Sequence, residues 1–132
     1  MRAKKVREGM QVDLHAYNAA WLKAWSDKDV ERLLEFYHPD VVYKDGQTVA
    51  GLKGHEQLRA YLTSLFERTP PMRYEPDAVW AIEGGYCGRW ICTIDLPDGS
   101  KRYLRGFDLV LLEGDRILLN EVYTHDLGAS AG

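Results

Sequence analysis

Two aspartates stand at positions where a carboxyl group could transfer a proton. Asp45 follows Tyr43 by two residues in an extended segment, so the two side chains point to the same face of a strand. If that face lines a cavity, desolvation raises the pKa of Asp45 towards the range of a general acid or base. Because Gly46 follows it, Asp45 is also a candidate turn former. The residues alone leave both interpretations open.

The second aspartate, Asp108, interrupts an otherwise apolar strand. Gly106 and Val110 share its face of the predicted strand. A buried acid costs free energy unless it is paired with a cation, hydrogen-bonded or neutral. Asp108 is therefore expected either to be a neutral carboxyl with a raised pKa, or to form a salt bridge with Arg89 or Arg105.

Three amphipathic segments predict helices in the first half of the chain. Apolar residues recur at every third or fourth position from about residue 10 to 26, from 30 to 37 and from 56 to 68. This is the spacing of one helical face. Asp27 or Asp29 can cap the second helix. Helices are therefore expected to precede the main strand region.

From residue 72 onward the apolar pattern alternates, which predicts long strands in an antiparallel meander separated by glycine-containing turns. Helices gathered before strands favour an α+β fold, with three helices packed on one face of a strongly curved, mostly antiparallel sheet. The concave side of such a sheet must be filled by side chains or by a ligand, and is the expected place for a small-molecule site. The predicted strands cover about 73–83, 86–96, 101–112 and 116–126.

Composition restricts the classes of partner. The chain has 132 residues, which suits one domain, and a net charge of −3, which is too small to direct it to nucleic acid or to anionic lipid. It lacks the run of about eighteen apolar residues that a membrane span needs. Cys87 and Cys92 match no metal-ligand spacing, and a reducing cytoplasm suits them best. We expect a cytoplasmic protein with no nucleic acid, membrane or metal partner.

The order of the predicted elements resembles that of the nuclear transport factor two-like superfamily, and most of all its SnoaL-like polyketide cyclases and ketosteroid isomerases. The resemblance is carried by AWSDKDVERLLEFYHPDVVYKDGQTVAGLKGHEQLRAYL and by RGFDLVLLEGDRILLNEVYTHDL. It implies a domain over residues 10–127 with a conical cavity, between flexible tails at 1–9 and 128–132. The superfamily contains isomerases, cyclases and non-catalytic binders, so these motifs indicate the fold better than the reaction.

The resemblance also implies roles for single residues. Asp45 falls on the position of the general base of ketosteroid isomerases, and Asp108 on that of their protonated acid. Trp21 falls where that family has a tyrosine that donates to the substrate oxygen. An indole N–H can donate a hydrogen bond but does not release its proton usefully. Tyr17, one turn earlier on the same helical face, could reach into the cavity instead.

Two further positions depend on which strand face turns inward. The resemblance places Asn120 and Thr124 in the cavity, where they join Tyr17, Trp21 and Tyr43 as expected substrate-binding residues. For the strand that carries Trp90, alternation predicts that the Trp90 face is in the core. The register implied by the resemblance instead turns Ile91 inward and leaves Trp90 for a subunit contact. Both alternatives stay open, and apolar residues on both faces of the strand suggest a homodimer.

These observations together predict a cofactor-free enzyme of isomerase or cyclase type. Asp45 would transfer a proton of a small hydrophobic carbonyl compound, while neutral Asp108 and Trp21 or Tyr17 would stabilise charge on its oxygen. The alternative is a non-catalytic domain of the same fold that binds a small molecule or only dimerises. The two hypotheses differ in whether Asp45 and Asp108 must face one cavity.

Overall fold

The computed structural model describes residues 13–129. Three predicted features lie outside the described residues. They are the tail at 1–9, the first turn of the first helix and residues 130–132 of the C-terminal tail. Gly128, assigned to that tail, is instead the last residue of a strand. Three helices are described, as the sequence predicts: α1 (Leu14–Ser26), α2 (Val30–Phe36) and α3 (Gly54–Glu67).

The helix boundaries have local causes. The Asp13 carboxylate accepts hydrogen bonds from the first backbone amides of α1, and the Asp29 carboxylate does the same for α2. Tyr37 already has extended backbone angles, so α2 ends one residue earlier than predicted. Pro39 lies in the first strand, in an irregular stretch between the paired residues Tyr37 and Val42, where its missing N–H breaks no sheet bond.

Six strands form one sheet in the order β2-β1-β6-β5-β4-β3. All neighbouring strands are antiparallel except β1 and β6, which run parallel. The predicted α+β fold, with helices on a curled and mostly antiparallel sheet, is therefore confirmed. The strands are β1 (Tyr37–Lys44), β2 (Leu52–Lys53), β3 (Met72–Ile82), β4 (Gly85–Asp95), β5 (Lys101–Glu113) and β6 (Arg116–Gly128).

The hydrophobic core lies between the helices and the concave face of the sheet. On β4, Tyr86, Trp90 and Cys92 are buried on this face, as alternation predicts. The alternative that leaves Trp90 for a subunit contact is wrong for this chain. Gly106 lies opposite Trp90, and a Cβ atom there would be 2.0 Å from the indole ring. Glycine at this position leaves the space that the ring occupies.

A β-bulge changes the face assignment on β6. Leu111 pairs with Leu119, but Leu112 pairs with Ile117, so Leu118 is an extra residue. Ile117 and Asn120 are both fully buried as a result, whereas Leu118 is only partly buried. Strict alternation would place Leu118 on the face of Asn120, but alternation does not hold across a bulge.

Among residues 13–129, no helix is both long enough and apolar enough to cross a membrane.

Candidate functional site

A cavity of about 830 Å³ opens between α1, α3 and the concave face of the sheet. This volume lies within the range of small-molecule sites. Two acids that the sequence singles out, Asp45 and Asp108, both line it. Aromatic side chains form a large part of its wall, among them Trp21, Trp25, Tyr43, Tyr61, Tyr74 and Trp90.

Asp108 is a buried acid of the cavity wall, with 2% of its surface exposed. The Trp90 indole donates to Oδ1 at 3.1 Å, and the Asn120 amide donates to Oδ2 at 3.2 Å. Burial raises the pKa of Asp108 to about 7, although the hydrogen bonds from Asn120 and Trp90 act in the opposite direction. At neutral pH the neutral and the ionised forms therefore coexist.

The alternative of a salt bridge at Asp108 is wrong. Arg89 pairs with Asp77 at 2.6 Å, and Arg105 is exposed. Arg89 pairs in register with Phe107, the neighbour of Asp108, so its side chain points to the opposite face of the sheet. Within residues 13–129, no cation forms a salt bridge with Asp108.

Asp45 accepts four hydrogen bonds. The hydroxyls of Tyr43 and Tyr61 donate to Oδ2 at 2.9 and 2.6 Å. The backbone N–H of Gln47 and the Thr48 hydroxyl donate to Oδ1 at 2.8 and 3.1 Å. A carboxylate offers about four lone-pair sites, so these donors occupy all of them.

The prediction of a raised pKa for Asp45 is wrong. Burial does raise the pKa, but the hydrogen bonds from Tyr61, Gln47, Tyr43 and Thr48 outweigh it and hold the pKa below its usual value. The turn interpretation is confirmed as well, since the Thr48 amide donates to the Asp45 carbonyl at 3.1 Å. Asp45 is therefore both a turn former and part of the cavity wall.

Three of the five predicted binding residues, Trp21, Tyr43 and Thr124, line the cavity, whereas Tyr17 and Asn120 do not. The Tyr17 hydroxyl donates to the Asp115 carbonyl at 3.0 Å in the turn before β6, which directs it away from the cavity. Asn120 is fully buried behind the wall and reaches the site only through Asp108.

Sequence reasoning missed several wall residues, among them Tyr61, which donates to Asp45 and Gln47. It was assigned to the apolar face of the third predicted helix, among leucines. The signal that could have revealed Tyr61 is its hydroxyl, because a phenol on a packed helix face needs a hydrogen-bond partner. In the structure that partner is Asp45. Trp25, Tyr74 and Trp90 carried no signal beyond that of core residues.

Trp21 supplies an unused donor. Its side chain is 1% exposed, and its Nε1 has no hydrogen-bond partner in the part of the chain that the structure describes. A buried donor without a partner is uncommon and costs free energy. The Nε1 atom itself is buried, so a ligand oxygen completes it only when the Trp21 ring turns towards the cavity that it lines.

The family of the chain follows from comparison with known proteins. The family model for the SnoaL-like domain matches residues 18–120, a segment that spans α1 to β6. The chain belongs to the SnoaL-like domain family. A search of the curated proteins finds no match.

Solved structures similar to this SnoaL-like chain share its fold at low sequence identity. One is a hypothetical protein with a ketosteroid isomerase-like fold from Catenulispora acidiphila, in complex with trimethylamine. It has 15% identity, a TM-score of 0.73 and coverage of 86% of this chain and 87% of that one. TerC, co-crystallised with polyporic acid, has 15% identity, a TM-score of 0.72 and coverage of 85% and 91%. AclR, a putative hydroxylase from Streptomyces galilaeus, has 12% identity, a TM-score of 0.69 and coverage of 87% and 80%.

The buried acid gives a testable pH dependence of stability. Between about pH 4 and 7 the unfolded chain has released the proton of Asp108 while the folded chain retains it, so the free energy of unfolding falls as pH rises. Asp108→Asn removes this contribution. We expect the stability of the variant relative to wild type to increase from about pH 4 to pH 7, and then to stay level, in urea unfolding followed by tryptophan fluorescence.

Asp95→Asn is the matched control for that measurement. Asp95 is an exposed partner of Lys101, and the hydrogen bond from Lys101 lowers its pKa. Stability from this pair is present above the unfolded pKa and lost at lower pH, so the difference from wild type is expected to change only below about pH 4. If the difference in free energy of unfolding between Asp108→Asn and wild type stays constant from pH 4 to 7, Asp108 is ionised in the folded protein over this range.

Proposed function

We propose that this protein catalyses proton transfer on a small hydrophobic carbonyl compound, without a cofactor, by isomerisation or aldol-type cyclisation. The observation that carries the proposal is Asp108, an acid with a pKa of about 7 in the wall of an aromatic cavity. A general acid or base works best when its pKa lies near the operating pH. We also propose the cytoplasm as its location, where Cys87 and Cys92, both free thiols, would stay reduced.

The proposal moves the proton-transfer role from Asp45 to Asp108. Ionised Asp108 takes the proton from the carbon next to the carbonyl group, which leaves an enolate whose charge lies mainly on the oxygen. Neutral Asp108 then returns the proton to carbon in an isomerisation, or the enolate carbon attacks a second carbonyl in a cyclisation and Asp108 protonates the new alkoxide. In both routes Asp108 ends in its starting protonation state.

The other polar groups have supporting roles in this proposal. The Trp21 indole N–H donates to the carbonyl oxygen, which becomes more negative in the enolate. Asp45 is a weak base because its lowered pKa and its four donors stabilise the carboxylate. Its role is to hold the phenols of Tyr43 and Tyr61 in the cavity wall.

The experiment compares two aspartate variants on a substrate found by screening apolar enones and polyketide-like ketones. We expect kcat/KM of wild type to rise with pH through about 7, as Asp108 ionises. Asp108→Asn is expected to lower turnover by about 10²-fold or more, because an amide cannot take up the proton. In Asp45→Asn, kcat/KM is expected to rise with pH through the same midpoint near 7, even if its absolute value is lower than in wild type. Loss of turnover in Asp45→Asn but not in Asp108→Asn would assign the base to Asp45, as the sequence predicts.

A second candidate function is non-catalytic binding of a small amine. The aromatic walls favour it, since the faces of tryptophan and tyrosine rings attract ammonium cations. The similar structure in complex with trimethylamine also supports it. In this case ionised Asp108 would be the counter-ion of the ligand.

The pH dependence of cation binding tests the second candidate. If tetramethylammonium pairs with ionised Asp108, its affinity rises about tenfold between pH 6 and 8, because the ionised fraction rises by that factor. Calorimetric titration measures this affinity, and Asp108→Asn is expected to remove its pH dependence. Binding of the cation that is independent of pH in wild type would contradict the amine-binding candidate.

We further propose that the convex face of the sheet forms the contact of a homodimer. Trp80, Phe107 and Tyr123 expose 45%, 40% and 61% of their surfaces there. The Trp80 and Phe107 rings lie 5.8 Å apart, and Phe107 pairs in register with Tyr123. This row of rings lies on β3, β5 and β6 and is interrupted on β4, where the Arg89 guanidinium lies over the Trp80 ring. A stable interface buries about 800 Å² on each partner, so the row would be the centre of a larger contact.

Sedimentation equilibrium at micromolar concentration tests the dimer. We expect a dimeric mass for wild type and a monomeric mass for Phe107→Asp, since a charge in the centre of an apolar contact is costly to bury. Val49→Asp is the matched control, because Val49 is 75% exposed and lies outside the row. A monomeric wild type would contradict this proposal.

A further inference from the structure

A chain of hydrogen bonds connects Asp108 to a tyrosine that does not contact it. The Tyr37 hydroxyl donates to Asn120 Oδ1 at 2.9 Å. The Asn120 amide nitrogen donates to Asp108 Oδ2 at 3.2 Å and lies 3.4 Å from the Leu109 carbonyl oxygen. Tyr37 and Asn120 are both 0% exposed, so water does not compete for these groups.

The direction of the first bond fixes the direction of the second. An amide side chain has one oxygen and one nitrogen on opposite sides, and the Tyr37 hydroxyl holds the oxygen on its own side. The nitrogen must then face Asp108. A hydrogen bond from this nitrogen stabilises the ionised carboxylate and not the neutral acid. With the amide turned around, its oxygen would accept a proton from neutral Asp108 and stabilise that form instead.

We propose that Tyr37 is a positioning residue that controls the proton affinity of Asp108 by holding the Asn120 amide in its donating orientation. The inference takes the catalytic role of Asp108 from the proposed function. The new part is the coupling from Tyr37 through Asn120 to Asp108. This coupling can be measured without a substrate.

The charge of Asp108 raises the pKa of four phenol and thiol groups. They are Tyr74 on β3 and Tyr86 and Cys87 on β4, besides Tyr37 itself. Burial raises the pKa of all four as well, from values that already lie above 7. These four groups therefore stay neutral while Asp108 titrates. Asp45, Glu121 and His125 line the same cavity, so the comparison with a matched control variant separates their charges from the effect of the hydrogen-bond chain.

The test is the pKa of Asp108 from carbon-13 NMR of its carboxyl carbon, assigned by the signal that Asp108→Asn lacks. Tyr37→Phe keeps the ring and removes the hydroxyl that holds the Asn120 oxygen, which leaves the long hydrogen bond from the Asn120 nitrogen to the Leu109 carbonyl as the other constraint on the amide. We expect the pKa of Asp108 to rise by about one unit, the effect of losing one hydrogen bond to the charged form. If the enzyme is active, the midpoint of its pH profile is expected to move by the same amount.

Tyr86→Phe is the matched control. The Tyr86 hydroxyl is equally buried and donates to the side-chain oxygen of Asn18 at 3.1 Å, outside the chain that ends at Asp108. It is expected to cost similar stability and to leave the pKa of Asp108 unchanged. An equal shift in both variants would show a general effect of loosened packing and would overturn the inference.

A double-mutant cycle tests the route of the coupling. Asn120→Ala removes the intermediate amide, and Tyr37→Phe in that background is expected to leave the pKa of Asp108 unchanged. A full shift in the double mutant would mean that Tyr37 acts on Asp108 without Asn120, which overturns the inference. An unchanged pKa in the single Tyr37→Phe variant would overturn it as well. Absence of enzyme activity in all variants would count against the proposed function alone.

Discussion

A carboxyl group buried without a cation is the constraint on which the site depends. Desolvation of Asp108 favours its neutral form, while the hydrogen bonds from Asn120 and Trp90 favour its ionised form, and the balance leaves the pKa at about 7. Each donor has its own structural requirement. The Trp90 ring fits only because Gly106 lies opposite, and Asn120 faces inward because it pairs with Val110, which shares the face of Asp108. The sheet thus holds the two donors that moderate the proton affinity of the acid.

The second aspartate shows how the same chemical group takes a different role under a different constraint. Asp45 lies at the end of β1, where its four donors come from the following turn, from β1 itself and from α3. Its carboxylate therefore stays ionised and joins the cavity mouth to α3 through Tyr61. Both acids line one cavity, but the environment of each pushes its pKa in the opposite direction. Such a separation of two acids is typical of sites in which one group reacts and the other supports.

The sequence predicted the helices, the long strands and their order because these depend on local periodicity and turn residues. A raised pKa for Asp108 was one of the two alternatives that the sequence left open, and the structure decides between them because no cation among residues 13–129 pairs with this acid. The prediction failed for Asp45, because the second phenol, that of Tyr61, lies 16 residues away and comes near only through the packing of α3 on β1. The inward face of Asn120 was predicted correctly, but alternation does not show that Asn120 lies behind Asp108 and away from the cavity. The prediction failed for Tyr17 because one helical turn separates the cavity from the β5–β6 turn.

The central claim is that Asp108 changes its protonation state near neutral pH inside the folded protein. The most direct measurement is the carbon-13 chemical shift of the Asp108 carboxyl carbon in the wild-type protein, followed from about pH 4 to pH 9. The account predicts one titration step with a midpoint close to 7, at a pH where the other carboxyl groups with resolved shifts, all lowered, are already ionised. A midpoint below about 5 would show a permanently ionised carboxylate at neutral pH and would contradict the account.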